Sequence, residues 1–419
     1  MKQQIHTFFK YNLSLVAFGF ILTFFSGFGQ TFLLSLYVPS IEQLLGISNA
    51  EFGSVYAIAT VGSAFTLPWI GGYFDKMKTQ RYSLMVIVGL FTALLVLSFS
   101  YHVVLVVIGF YGLRLFGQGL MTHTSVSSMA RYFGRDRGKA IGAASLGHPT
   151  GEAVLPILIT LLIGAVGWRS TLQVSALTCV VLVAPLALIL LRRSTTRIRA
   201  YRIRNNEESD QGGTIAILKV IGQRKFWVIT PVIFMVGFTN TAIFFFQLKL
   251  GEAKGWSPEW VAASLSAFAI AGATGMTGVG SLVDRFTARR LFPFHMFPYL
   301  LGVLALVLFD HRLVYPVALT LIGLGHGAGR TIKDAMLAEI YGSDIIGQIR
   351  SIFTTVMVIS TALGPVVFGI LLDLEVAYGL IFTGVLIATT LATANGFRPI
   401  KAQHHGQEAA ENWDSSNTK

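Results

Sequence analysis

The chain is 419 residues long, and 53% of it is hydrophobic whereas only 12% is charged. A soluble domain carries about 25% charged residues, so most of the surface is expected to face lipid rather than water. The single cysteine, Cys179, excludes an intrachain disulfide framework and a cysteine-based metal site. The net charge of +12 is compatible with nucleic-acid binding, but its distribution along the chain argues against that class.

Twelve apolar stretches, each long enough to cross a bilayer as a helix of about 20 residues, follow one another along the chain. They cover 12–37, 50–71, 82–100, 103–130, 139–166, 170–191, 226–250, 258–280, 291–309, 313–338, 350–372 and 376–396. Helix is nearly obligatory there, because a segment in lipid has to satisfy its own backbone hydrogen bonds. The first stretch is too long for a signal peptide and lacks a cleavage pattern, so we predict that it is retained. The sequence predicts an all-α membrane protein.

Lysine and arginine concentrate in alternate loops. One set of loops holds Lys76, Lys78, Arg81, Arg131, Arg135, Arg137, Lys139, Arg192, Arg193, Arg197, Arg199, Arg202, Arg204, Lys219, Arg224, Lys225, Arg285, Arg289, Arg290 and Arg350. The other set holds only Arg169, Lys249, Lys254 and Arg312. By the positive-inside rule, the first set is cytoplasmic and so are both termini, in a multi-pass protein of the cell inner (plasma) membrane. The charge is therefore explained by anionic lipid headgroups, and we expect no nucleic-acid partner.

One long polar stretch divides the helices six and six. We therefore predict a first six-helix bundle over 1–191, a cytoplasmic central loop over 192–225 and a second bundle over 226–396. The remaining residues, 397–419, are predicted to form a cytoplasmic polar tail, which has the composition of a disordered segment.

The two halves repeat short motifs at a nearly constant offset. GGYFDK from Gly71 corresponds to GSLVDR from Gly280, and ARYFGRD from Ala130 to AEIYGSD from Ala338. The offsets are 280 − 71 = 209 and 338 − 130 = 208 residues. Gln30 and Gln247 pair at a similar offset. Several matches in register indicate duplication of a six-helix unit, and parallel repeats of this kind place a ligand between the halves at mid-membrane.

These residues resemble the major facilitator superfamily, over nearly the whole chain. The family motif after its second helix, G-x-x-x-D-[RK]-x-G-[RK]-[RK], matches Gly71, Asp75, Lys76 and Arg81, although Lys78 replaces the second glycine. The second copy consists of Gly280, Asp284, Arg285, Arg289 and Arg290. The helix-4 motif of the family resembles Arg114 followed by Gln118 and Gly119, with one residue inserted.

The resemblance implies two pseudo-symmetric six-helix bundles and transport by alternating access. It also implies that the two loop motifs act as gates that close the cytoplasmic side when the protein faces outward. The segment YFGRDRGKAIG from Tyr132, with Gly167, Trp168 and Arg169, loosely resembles the monocarboxylate and oxalate/formate branch. The charged pair typical of helix 8 in that branch is absent, because 258–280 carries only Glu259, at its mouth.

Three ionisable residues lie deep in the predicted helices of the first half. An ionised side chain at this depth costs about 3 kcal/mol or more, so Arg114, Glu152 and His148 are candidate site residues. We hypothesise that Arg114 binds an anionic substrate group or pairs with Glu152, because arginine grips a carboxylate with two parallel hydrogen bonds. Glu152 and His148, four residues apart on one helix face, would couple proton movement to transport. The alternative is a structural ion pair between Arg114 and Glu152.

In the second half, His326 and Arg330 share one face of helix 10, and Arg330 is spaced for a pair with Asp334. Two arginines facing a cavity from opposite halves favour an organic anion over a cation. Helices 1 and 7 offer further cavity-lining side chains: Gln30, Tyr37, Asn240 and Gln247.

The sequence therefore predicts a secondary active transporter of a small, carboxylate-type anion that is proton-coupled and monomeric, without cofactor or resident metal. Efflux of a drug or of a secreted metabolite such as a siderophore is the alternative, and sodium coupling stays open. A membrane enzyme is disfavoured, since the chain has no P-loop, H-E-x-x-H, G-x-S-x-G or nucleophilic cysteine pattern.

Overall fold

Twelve helical segments of membrane-spanning length make up the described part of the protein. The computed structural model describes residues 2–133, 136–194, 220–342 and 345–398, with only the backbone described for residues 2–11 and 347. The segments are α1 Lys2–Phe25 with a continuation over Thr31–Leu45, α2 Asn49–Lys76, α3 Thr79–Ser98, α4 Val103–Phe133, α5 Arg137–Val166, α6 Trp168–Arg193, α7 Arg224–Phe245 with a continuation over Gln247–Ala253, α8 Pro258–Phe286, α9 Ala288–Leu308, α10 Val314–Tyr341, α11 Ile346–Asp373 and α12 Tyr378–Gly396.

This architecture confirms the predicted all-α, twelve-helix fold. Eleven of the segments are both long and apolar enough to cross a membrane. The exception, α10, is long enough, at 28 residues, but carries His326, Arg330 and Lys333. Ionisable residues inside a membrane helix are costly, so the polarity of α10 indicates a functional role. Most of the predicted central loop, residues 195–219, and of the predicted tail, from residue 399, lies outside the described residues, so both assignments stay predictions.

Two ends of the molecule differ in charge. We call the end at which α2, α4 and α6 finish, near Lys76, Arg131 and Arg193, the basic end. The opposite end is where α2 begins at Asn49 and α11 finishes at Asp373. The two ends are the reference for every position described below.

Helices of the two halves meet along α2 with α11 and α5 with α8, and more narrowly along α1 with α7. The contact of α2 with α11 is close enough to require glycine. A Cβ on Gly53 would lie 2.5 Å from the Pro365 carbonyl oxygen, and one on Gly369 would lie 2.5 Å from the Asn49 carbonyl oxygen. Both contacts lie nearer the opposite end, because Gly53 is close to the start of α2 at Asn49 and Gly369 is close to the end of α11 at Asp373.

Two helices that face the centre are irregular at the same level. The helix α1 stops at Gln30, whose backbone is extended (φ −86°, ψ 149°), and restarts at Thr31. Beside this interruption, α4 widens into a π-helix over Leu113–Met121. The two irregular segments fit together through glycine, since a Cβ on Gly117 would lie 2.8 Å from the Gly29 Cα. Such π-helical segments occur often at functional sites.

Polar contacts tie the two halves together at the opposite end. Asp373 accepts hydrogen bonds from the backbone nitrogens of Asn49 (3.0 Å) and Ala50 (2.8 Å), and so caps the start of α2 from the other half. Lys249 forms an ion pair with Glu42 (2.5 Å) and also donates to the Asn49 side chain. We call these five residues the outer latch.

The described hydrogen bonds of Asp373 and Gln247 and the ion pair of Lys249, which all join the two halves, lie toward the opposite end. Arg330, near the middle of α10, has an exposed side chain although its helix is otherwise largely packed. The opposite end is thus held closed by contacts between the halves.

Candidate functional site

Arg330 of α10 faces Glu152 and His148 of α5 across the space between the halves. Its charge acts on both of these side chains, which lie on a helix of the other half. Glu152 is largely buried, with 7% of its surface exposed, whereas Arg330 is exposed. Within the described ranges Arg330 has no ion-pair partner. An unpaired guanidinium in an accessible space is suited to bind an anion.

The predicted pair of Arg114 with Glu152 is wrong. The structure contains no ion pair between them, and the charge that reaches Glu152 is that of Arg330. The reason is geometric: Arg114 begins the π-helical segment of α4, which packs against the interruption of α1 rather than against Glu152 on α5. The alternative interpretation, in which an Arg114–Glu152 ion pair has a purely structural role, is therefore wrong as well.

Arg114 is instead enclosed by α1 and α2. Only 5% of its surface is exposed. One terminal nitrogen donates to the Thr31 hydroxyl at 3.3 Å, and the guanidinium lies 5.1 Å from the centre of the Tyr56 ring, a cation–π distance. Its Nε atom has no hydrogen-bond partner among the described residues. Tyr56 in turn hydrogen-bonds Thr31 at 2.6 Å and packs against Phe245 of α7 at 4.8 Å. Arg114 thus lies directly behind a contact between the two halves.

Asn240 and His326 lie together on the second-half side of the same space. The Asn240 amide nitrogen is 2.9 Å from His326 Nδ1, and its oxygen accepts from the buried Tyr299 hydroxyl at 2.8 Å. The His326 ring is partly exposed and lies 5.6 Å from the Phe268 ring. The predicted grouping of Asn240 with His326 and Arg330 is therefore present, with Tyr299 as an additional member.

Three other predicted lining residues occupy different places. Gln30 is at the α1 interruption and 9% exposed. Gln247 is completely buried and donates to Ser35 Oγ at 2.7 Å, so it seals the halves together rather than lining the cavity. Tyr37 is 2% exposed and its hydroxyl lies beside Ser175 of α6. Its predicted place in the cavity is wrong, because the irregular backbone of α1 turns it into the core of the first half.

The predicted intrahelical pair of Arg330 with Asp334 is also absent. Asp334 instead contacts Lys333 at 3.7 Å. A four-residue spacing brings two side chains to one face, but the adjacent lysine is a competing partner. Arg330 is left available.

The loop motifs make their contacts inside their own halves. Asp75 pairs with Arg131 at the end of α4, and Arg131 also donates to the Phe74 carbonyl at 3.3 Å. In the second copy, Glu339 accepts from the backbone nitrogen of Ala288 at 2.8 Å and pairs with Arg289 at 3.5 Å.

The other motif residues lie at the surface of the basic end. Their exposed side chains are those of Lys76, Arg81, Asp284, Arg285 and Arg290. Each motif begins with a glycine, Gly71 in the first copy and Gly280 in the second. The ion pairs of Asp75 with Arg131 and of Glu339 with Arg289 each lie within one half. The gating role predicted for the motif residues stays a prediction.

Several site residues could not be singled out from the sequence. Thr31, Tyr56 and Tyr299 are common residue types in apolar runs, and only their contacts mark them. Glu42 and Lys249 carried a usable signal, since Lys249 is a charged residue at the end of the predicted stretch 226–250 and Glu42 follows the stretch 12–37.

Comparison with solved structures shows the same fold in known transporters. A bacterial homologue of the human lysosomal transporter Spinster, in an inward-facing and occupied conformation, covers 92% of this chain and 95% of that chain at 15% identity, with a TM-score of 0.66. Its inward-facing, unoccupied form has a TM-score of 0.68 at 13% identity and covers 92% of this chain and 96% of that chain. A mutant of the nucleoside transporter NupG covers 93% of this chain and 100% of that chain at 13% identity, with a TM-score of 0.70.

Sequence comparison identifies the family. No curated protein matches the chain. The family model described as Major Facilitator Superfamily matches residues 19–365 and 247–413, which together span most of the chain. With the twelve-helix fold and the transporter structures it resembles, this match establishes that the chain belongs to the Major Facilitator Superfamily.

Proposed function

We propose that the protein moves a small organic anion of the carboxylate type across the inner membrane together with protons. The family and the fold support secondary transport by alternating access. The observation that carries the choice of an anion is Arg330, which is exposed in the space between the halves and unpaired among the described residues. A guanidinium in that position has two donors for a carboxylate.

Glu152 supplies a physical basis for coupling. Its carboxylate is the acidic group in the interior on which the Arg330 charge acts. A substrate carboxylate at Arg330 competes with Glu152 for the same positive charge, and two carboxylates sharing a site disfavour each other's ionised forms. Binding of the anion is therefore expected to favour protonation of Glu152, so that one proton travels with one negative charge. His148, four residues before Glu152, is the proposed partner in that transfer.

The sidedness of the molecule follows from its charges. We assign the basic end to the cytoplasm, since basic loops stay on that side of the membrane. The closed end then faces away from the cytoplasm, and we propose that the loop motifs with Asp75 and Asp284 close the cytoplasmic side in the outward-facing form.

The loose resemblance to the monocarboxylate and oxalate/formate branch does not carry a substrate over, because the charged pair of helix 8 is absent. Among the structural relatives, NupG is by its title a nucleoside transporter. A nucleoside is uncharged at neutral pH and would leave Arg330 without a counter-charge. Efflux of a drug or siderophore has no feature of the described residues in its favour.

A ligand screen on the purified protein tests the proposal. Thermal-shift measurements with mono-, di- and tricarboxylates, amino acids, nucleosides and cationic drugs should show stabilisation by carboxylates. Arg330→Gln should abolish the shift and Arg330→Lys should retain part of it. The matched control is Arg312→Gln, which removes an arginine at the opposite end, near Trp260. Stabilisation only by cations or nucleosides, or an unchanged carboxylate response in Arg330→Gln, would overturn the proposal.

A further inference from the structure

Three polar side chains from α7, α9 and α10 form a hydrogen-bonded series that ends at the candidate site. Tyr299 is fully buried on α9, and its hydroxyl donates to Asn240 Oδ1 at 2.8 Å. The Asn240 amide nitrogen lies 2.9 Å from His326 Nδ1. The direction of these bonds decides what His326 offers to a ligand.

The placement of the Asn240 amide, with its oxygen toward Tyr299, assigns one tautomer to His326. An asparagine amide has one oxygen, which only accepts, and one nitrogen, which only donates. In this placement the Asn240 oxygen accepts from Tyr299, so its nitrogen faces His326 and donates. Nδ1 then accepts and carries no proton, so the imidazole is neutral and its single proton lies on Nε2.

In this tautomer the Nε2–H group is the donor that His326 offers to a ligand. His326 is partly exposed, and within the described part of the chain no hydrogen-bond partner satisfies Nε2. Charge interactions connect the ring to Arg330 on its own helix and to His148 on α5 of the other half. His326 precedes Arg330 by four residues, so the two side chains are neighbours about 6 Å apart on one face of α10. The ring of Phe268 lies beside the imidazole and limits its rotation.

We propose that His326, oriented by Asn240 and Tyr299, is the specificity-determining donor that selects carboxylates carrying a keto or hydroxyl oxygen close to the carboxylate. This inference rests on the proposed function, in which Arg330 holds the carboxylate. A neutral imidazole offers one hydrogen bond without a second positive charge, so it favours an uncharged oxygen over a second carboxylate. A site with a fixed donor disfavours an analogue that lacks the acceptor, since the donor is then left unpaired.

The test compares four-carbon probes that differ at one position. Binding of butanoate, 2-hydroxybutanoate, 2-oxobutanoate and butanedioate to the purified full-length protein is measured by calorimetry. The hydroxy and oxo acids should bind about 10- to 100-fold more tightly than butanoate. In His326→Phe both should bind no more tightly than butanoate binds to the same variant, and His326→Gln, which keeps an N–H donor, should restore part of the preference.

Tyr299 and Asn240 are positioning residues, so their test needs a readout of the imidazole itself. Nitrogen-15 NMR of histidine-labelled protein should report the Nε2–H tautomer at His326. Tyr299→Phe should disturb that signal and reduce the oxo-acid preference. Tyr315→Phe is the matched control, because the Tyr315 hydroxyl is also buried on α10 and has no partner among the described residues. Asn240→Asp provides a second variant. An aspartate carboxylate only accepts hydrogen bonds, so it requires the proton of His326 to lie on Nδ1.

The outcomes separate the inference from the function on which it rests. Equal binding of butanoate and its oxo and hydroxy derivatives, or an Nδ1–H tautomer in the wild-type protein, would overturn the role of His326 and leave the carboxylate proposal intact. Binding of none of the four acids would instead count against the proposed function.

Discussion

At the scale of single residues, two interior arginines have opposite environments. Arg330 is exposed and faces Glu152 and His148 across the halves. Arg114 has only 5% of its surface exposed, and it contacts Thr31 and the Tyr56 ring. The first is suited to meet a ligand that enters from the basic end. Arg114 lies behind the contact of Tyr56 with Phe245 of the other half, so its surroundings are expected to change when the opposite end opens.

Glu152→Gln should uncouple transport from protons. Glutamine has nearly the same shape but takes up no proton, so anion binding at Arg330 no longer requires a proton from the medium. In proteoliposomes we expect loss of uptake driven by a pH gradient and retention of exchange between labelled and unlabelled substrate. Glu259→Gln at the mouth of α8 is the control. Undiminished pH-driven uptake in Glu152→Gln would remove this residue from the coupling mechanism.

Arg114→Lys should destabilise the protein although it keeps the charge. A lysine loses the planar contact with the Tyr56 ring, and a cation–π contact contributes about 1 kcal/mol, so we expect a melting temperature lower by a few degrees in a detergent thermal-shift assay. Tyr56→Phe keeps the ring but removes the hydrogen bond to Thr31, and should cost less. A melting temperature in Arg114→Lys equal to that of the wild type would show that the guanidinium plane is not used.

At the scale of elements, the irregular parts of α1 and α4 determine where Arg114 lies. A regular α4 would continue with 3.6 residues per turn, whereas the π-helical segment Leu113–Met121 changes the angular positions of the residues that follow it. The interruption of α1 at Gln30 makes room for this wider segment. Both irregularities are stabilised by the approach of Gly29 to Gly117.

Gly117→Ala should force these two helices apart. A Cβ there would lie 2.8 Å from the Gly29 Cα and meet backbone that has no freedom to move away. Insertion of a methyl group into a close-packed site costs about 1–3 kcal/mol, so we expect a melting temperature lower by several degrees in a detergent thermal-shift assay, and reduced transport. Gly164→Ala in α5 is the matched control, because no atom lies within 4 Å of its Cβ position. Equal melting temperatures for the two variants would contradict this packing.

At the scale of the whole molecule, the outer latch and the seal made by Gln247 hold one side closed. Asp373 places its negative charge at the start of α2, where a helix N-terminus favours an anion, and it also accepts from the Asn49 amide at 2.7 Å. The bonds of the latch cross from one half of the protein to the other. Alternating access requires that these bonds break as the basic end closes.

Lys249→Met should shift the molecule toward a state that is open at the opposite end. The variant removes the ion pair with Glu42 and the bond to Asn49, and leaves Glu42 buried without its cation. Spin labels at Tyr101→Cys and Leu313→Cys, in a Cys179→Ser background, place one label on each half at this end. Electron–electron resonance should show a larger population of long distances.

Lys254→Met is the control for this experiment. Lys254 forms an ion pair with Asp310 at the same end but within the second half. Its loss should leave the distance distribution unchanged. Identical distributions for Lys249→Met and the wild-type protein would mean that the latch does not set the balance between the two states.

The sequence by itself determined the twelve spans, their pairing into repeats and the family. These features are local: an apolar stretch in lipid has to form a helix to satisfy its backbone, and the motifs at Gly71 and Gly280 recur in register. It also singled out Arg330, Glu152, His148, Asn240 and His326, because ionisable or polar residues deep in a span are costly and stand out from their surroundings.

Only the tertiary structure decided which of these residues meet. Sequence spacing predicted Arg114 with Glu152 and Arg330 with Asp334, whereas the structure brings Arg330 toward Glu152 and leaves Arg114 beside Tyr56. The physical reason is that partners on different helices depend on how each helix is rotated and interrupted. In this protein the break at Gln30 and the π-helix of α4 change that rotation, and neither can be read from hydropathy or residue type.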